Sequence, residues 1–233
     1  MAAGLIRSVV ARRGLAALLL AGTLAGPAAA QDLIATDCKQ LQLPVRIDFE
    51  NFPRVVNGTR YDNILLLPGA RIGERFAGQK LYFERTFDRL DGEPEAPLRL
   101  LPGAPAQNLS VEARGHAQNG LNGIGPMGFA RKNGSGEGAV SILFDTDHPA
   151  IGMTIEFEMG YAGAPPPGSA RFQVFARDGR KLGDITLKGQ GRSRVCLQLG
   201  DGVPAIAGVS ITNDDIEGIS IDDIAFDSAP PVG

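Results

Sequence analysis

The chain has no tryptophan, and only three tyrosines, two cysteines and two histidines in 233 residues. Without Trp, a flat platform for crystalline polysaccharide is excluded, because such surfaces need wide aromatic faces to lie against sugar rings. His116, His148 and two cysteines are too few for an ordinary zinc site. Past residue 30 there is no long apolar run, which excludes a later spanning helix. Positive charge is not in excess either. The formal net charge is −3, a balance that argues against nucleic acid or an anionic membrane as partner.

The N-terminus reads as an export signal. Arg7, Arg12 and Arg13 precede an apolar core over residues 14–26, and Ala28-Ala-Ala30 is a small-residue cleavage site. Cleavage there leaves residues 31–233. Removing three Arg and no acids takes the net charge from −3 to −6. The apolar core is too short for a membrane span, so the expected location is secreted or periplasmic. In such an oxidising compartment Cys38 and Cys196 are expected to pair, tying the lead-in to a late strand.

What the chain does have is alternation. Ile151, Met153, Ile155, Phe157 and Met159 alternate with Gly152, Thr154, Glu156 and Glu158, a two-residue period that predicts a half-buried strand. Phe172, Val174 and Ala176 lead through Asp178-Gly179 to Leu182, Ile185 and Leu187, the signature of a hairpin. Val45-Arg-Ile-Asp-Phe-Glu50 predicts the first strand and Lys80-Leu-Tyr-Phe-Glu84 another. Short strands at steady spacing, with Gly, Pro and Asp at the breaks, predict an all-β fold: an antiparallel β-sandwich of jelly-roll type. The expected organisation is a lead-in at 31–43, one β domain at 44–228 and a tail at 229–233. Residues 88–138 look irregular, rich in Gly, Pro, Asn and Ala, and are expected to be a functional loop region or partly mobile.

The last strand carries the clearest oddity. In Ile219-Ser-Ile-Asp-Asp-Ile-Ala-Phe226, the apolar parity flips at Asp222-Asp223, as it does at a bulge. Acids inside a strand need their charge balanced. The preceding turn, Asn213-Asp-Asp-Ile-Glu-Gly218, places oxygens at alternate positions like the first half of a calcium loop, although position twelve is Ile224 and not Glu. Asp48 and Glu50 on the first strand are expected to complete the shell. The expected ligands of a structural calcium are therefore Glu50, Asp222, Asp223, Asp48, Asn213 and Asp215.

Other constellations are weaker. Glu156 and Glu158 lie two apart on one strand face, a spacing that glycosidase carboxylates can use but that outward acids guarding a strand also show. Asp145-Thr-Asp-His148 precedes Pro149 and reads as a turn. Gly123-Ile-Gly-Pro-Met-Gly128 matches the dinucleotide pattern by letter, without the strand and helix that give the pattern its meaning. Ser135 lacks the setting of a hydrolase nucleophile.

The motifs Ile47-Asp-Phe-Glu50, Gly136-Glu-Gly-Ala-Val-Ser-Ile-Leu-Phe-Asp145, Phe175-Ala-Arg-Asp-Gly179 and Ile211–Phe226 together resemble bacterial exported jelly-roll domains. These occur in exoproteins with C-terminal sorting signals and are similar to carbohydrate-binding modules. The sorting signal is absent here, the chain ending Ala229-Pro-Pro-Val-Gly233. The resemblance implies a non-catalytic module for a glycan or a surface protein, with calcium held by Glu50 and Asp222. With no Trp, a short glycan would be met by Tyr61, Tyr82 or Tyr161. The rivals are an adhesion or matrix protein that binds a protein partner through the 88–138 loops, and a glycosidase or lyase using Glu156 and Glu158.

Overall fold

The computed structural model describes residues 32–114, 118–129, 136–157 and 168–227. The leader, the tail, His116, Ser135, Glu158 and Tyr161 lie outside the described residues. The strands are Leu33–Thr36 (β1), Val45–Ile47 (β2), Thr59–Tyr61 (β3), Leu65–Leu67 (β4), Ala70–Gly73 (β5), Arg75–Phe76 (β6), Lys80–Glu84 (β7), Phe87–Asp91 (β8) and Leu100–Leu101 (β9). They continue with Leu109–Arg114 (β10), Gln118–Gly123 (β11), Val140–His148 (β12), Ala150–Phe157 (β13), Ser169–Phe175 (β14), Lys181–Lys188 (β15), Gly191–Leu199 (β16), Ile206–Asn213 (β17) and Ile219–Phe226 (β18).

Every pairing among them is antiparallel. One sheet runs β1-β16-β13-β18-β11-β10-β3, with β2 joining β18. The other runs β15-β14-β17-β12-β5-β4. Two small two-stranded sheets, β6-β9 and β7-β8, stand outside them. The inward residues of both large sheets meet in one core. Ile151, Met153, Ile155 and Ile221 come from the first sheet, and Ile142, Phe172, Val174, Val209 and Ile211 from the second. This is an all-β sandwich.

The second sheet is also covered on its outer face. Leu143, Phe175 and Ala207 point away from the main core and pack under Phe76, Leu98 and Leu100. Burial on both faces explains why Ile142-Leu-Phe144 is apolar at consecutive positions instead of alternating.

Two expectations change. The 88–138 stretch is not loop throughout: it supplies the β10–β11 pair, in register from Leu109↔Gly123 to Arg114↔Gln118. Its Gly and Asn composition hid the strands because much of that face packs against polar neighbours and backbone. Asp145–His148 is not a turn either. It is the end of β12, with Asp147 paired to Arg177 and His148 buried against Phe144 and Phe226. The lead-in likewise holds a strand, β1, paired along β16, and Cys38 is bonded to Cys196 beside it with Cα atoms 5.3 Å apart.

Candidate functional site

β18 lies between β13 and β11, and each of its eight residues is buried. Thr154 pairs with Asp222 and Gly152 with Ala225, so Asp223 and Ile224 together face Met153. That is a bulge, and Asp223 sits at its turn with φ 50°. The extra residue lets Ile219 and Ile221 on one side of it, and Ile224 and Phe226 on the other, all reach the core.

The bulge aims both carboxylates at arginine. Asp222 accepts from Arg192 Nη2 at 2.9 Å and from the Asp223 amide at 2.7 Å. Asp223 accepts from Arg192 Nη2 at 3.3 Å, from Thr154 Oγ1 at 3.2 Å and from Arg46. The same Arg192 donates to the Gln118 side chain. Two guanidiniums thus occupy the role that the sequence alone suggested for calcium. Burial still dominates at Asp222 and lifts its carboxyl to about 6. The Asp223 amide opposes that lift, the Asp223 charge adds to it, and Arg192 opposes it.

The six expected calcium ligands divide into three pairs. Asp222 and Asp223 sit in the bulge. Asp48 and Glu50 sit in the turn after β2, where Asp48 accepts from the Glu50 amide at 3.3 Å and Glu50 from the Asn119 amide at 3.0 Å. The Asn119 side chain in turn donates to the Phe49 and Phe52 carbonyls. Glu50 therefore fastens β11 to that turn. Asn213 and Asp215 sit in the β17–β18 turn. Asn213 donates to the Gly136 carbonyl at 2.7 Å and accepts from the Asp215 amide, and Asp215 accepts from the Glu217 amide. Among the described residues, no three Asp, Glu, His or Cys side chains are grouped so as to hold a metal.

Two acids escaped the sequence reading. Asp88, on β8, is 2 % exposed and accepts from the Ala139 amide at 3.0 Å. Burial drives its carboxyl up to about 7. The Ala139 amide opposes that, the Glu74 charge adds to it, and Arg75 and Arg89 oppose it. Glu137 is 1 % exposed, and neither side-chain oxygen has a hydrogen-bond partner. Burial likewise takes it to about 7, against a pull from its own amide and reinforced by Glu217, Asp215 and Asp88. No period marks either residue. The only sequence signal is glycine on both sides of Glu137, and the structure explains it. A Cβ on Gly138 would come within 2.5 Å of the Gly123 and Ile124 backbone, and one on Gly123 within 2.3 Å of the Gly138 carbonyl. Of the dinucleotide-like glycines, Gly123 is thus a close-packing point between two backbones.

On the surface, Tyr82 is 50 % and Phe83 59 % exposed, on opposite faces of β7. Arg171 grips Asp184 through two nitrogens. Tyr61 instead packs edge-on to Phe52 at 5.6 Å. Glu156 stands opposite Arg192 across β13–β16.

No protein-family model, curated protein or solved structure matches the chain. Among the described residues no helix is long and apolar enough to cross a membrane.

Proposed function

We propose that this is an exported, non-catalytic binding module of jelly-roll type, similar to carbohydrate-binding modules, whose ligand is a short glycan. The observation that carries the reading is Tyr82. It offers a half-exposed aromatic face on a hairpin outside both large sheets. An aromatic face stacks on the apolar side of a pyranose. The Cys38–Cys196 bond supports an oxidising compartment. Glu156 lies across β13–β16 from Arg192, which is itself bonded to Asp222, a charge-balanced setting that favours binding over hydrolysis.

A glycan array with the chain from residue 31 onward tests this. Binding to at least one short glycan is expected, lost in Tyr82→Ala and kept in Glu156→Gln, with both variants melting like the parent. No glycan bound, or binding indifferent to Tyr82, refutes it.

A further inference from the structure

Among the described residues, Glu137 alone has a carboxylate with both oxygens buried and unpartnered. The backbone on either side of it is engaged, while the Glu137 amide itself bears on its own carboxylate. The Gly136 and Gly138 amides donate to the Gly123 carbonyl at 2.8 and 3.2 Å. The Gly136 carbonyl accepts from the Ile219 amide and from Asn213, and the Glu137 carbonyl from the Asp88 amide at 3.1 Å. Three elements, β8, β11 and the β17–β18 turn, therefore hold this residue in place. Its carboxylate feels three others: Glu217 and Asp215 from the turn, and Asp88 from β8.

Among the described residues, the arginines that act on Asp88 are already engaged. Arg89 donates to Glu84 and to the Asp88 and Asn213 carbonyls, and Arg75 pairs with Glu74. A bare buried carboxylate among like charges is very costly. A proton would remove the charge but would leave the other oxygen as unpartnered as before. A cation bound by both oxygens satisfies everything at once.

We propose that Glu137 is the bidentate anchor of a divalent-cation site, with Asp215, Glu217 and Asp88 supplying the negative field that draws the ion in. Carboxylates and main-chain carbonyls offer oxygen alone, which suits calcium and not zinc. Since no three acidic side chains are grouped to hold a metal by themselves, main-chain carbonyls and water complete the shell of six to eight oxygens. This site is separate from the bulge acids that arginine neutralises and does not depend on the glycan reading. It pins the β17–β18 turn to β8 and β11, and adds its binding energy to the fold.

The test is calorimetric titration of calcium into chelator-stripped protein at pH 7.5, with thermal melts alongside. One equivalent is expected, at a dissociation constant on the order of 10⁻⁴ M or tighter. At a hundredfold excess over that constant, the midpoint should rise by about 5–10 °C. Glu137→Gln keeps the shape and removes the charge. It should abolish the binding heat, whereas Asp222→Asn should leave it intact. If Glu137→Gln does not fold, Glu217→Gln on the exposed turn serves, with affinity falling severalfold. The site is refuted by wild-type protein that takes up no calcium, or by Glu137→Gln protein that binds it as tightly as wild type. It is equally refuted if the stripped protein loses stability from pH 5.5 to 8 and calcium restores none of it, since a proton then holds Glu137.

Discussion

Arg192→Gln removes the cation shared by two buried acids, and its cost can be bounded from the structure. A buried acid denied its counter-charge takes up a proton, so the penalty has a ceiling. Holding Asp222 neutral at pH 7 against an ordinary value of 3.8 costs about 4 kcal/mol, at ~1.4 kcal/mol per unit. With Asp222 already raised to about 6, about 3 kcal/mol of that burden is present in the wild type at pH 7. Only about 1.4 kcal/mol is left to lose there. Asp223 keeps Arg46 and Thr154, so it adds little. The expected loss is about 1–2 kcal/mol, or ~3–8 °C in a chain of this size. An acid whose value is raised on folding stabilises most at low pH, and that contribution is lost as pH rises from 3.8 through 6. At pH 5 Asp222 is largely protonated in both proteins, so the deficit should shrink to the share of Asp223. Urea unfolding followed by circular dichroism at pH 5 and pH 7.5 reads this directly, since the chain has no Trp to follow by fluorescence. A deficit equal at both pH values, or above about 4 kcal/mol at pH 7.5, refutes the reasoning. The same substitution made in an Asp222→Asn background should cost less than it does in the wild type.

Replacing Cys38 and Cys196 together by Ser opens a loop of sequence separation 158. In the chain-entropy model this costs up to about 5 kcal/mol, and an urea midpoint within about 1 kcal/mol of the parent would show that the bond constrains little. Gly123→Ala drives a Cβ to 2.3 Å from the Gly138 carbonyl, backbone against backbone. A loss of about 2–4 kcal/mol is expected, with calcium affinity falling as Glu137 is displaced. Gly202→Ala, at a positive φ but in open space, should cost only about 1 kcal/mol, and equal losses at the two sites would discount close packing as the cause.

Much of the second half of the chain was legible because large apolar side chains take the core-facing positions and small or polar ones the positions between. Ile151, Met153, Ile155 and Phe157 alternate for that reason, and Asp178-Gly179 marks its hairpin because a tight turn needs glycine, here at φ 85°. The bulge showed too, since a parity flip in Ile219–Phe226 can be buried on one face only with an extra residue. The first half was harder to read. Thr59–Tyr61, Leu65–Leu67 and Ala70–Gly73 are short strands without a full period, and β11 is written almost wholly in Gln, Asn and Gly.

The candidate site was legible only as a charge problem. Local order along the chain determined the strands, the bulge and the surplus of acids at its end, because those depend on residues a few positions apart. What balances each acid was decided by the tertiary structure. Arg192 is 30 residues from Asp222 and Arg46 is 177 from Asp223, and sequence holds no record of which strands will lie side by side. The same folding that brought arginine to those two carboxylates left Glu137 enclosed without a partner. A counter-charge is a matter of distance in space, and only the packed sheets set that distance.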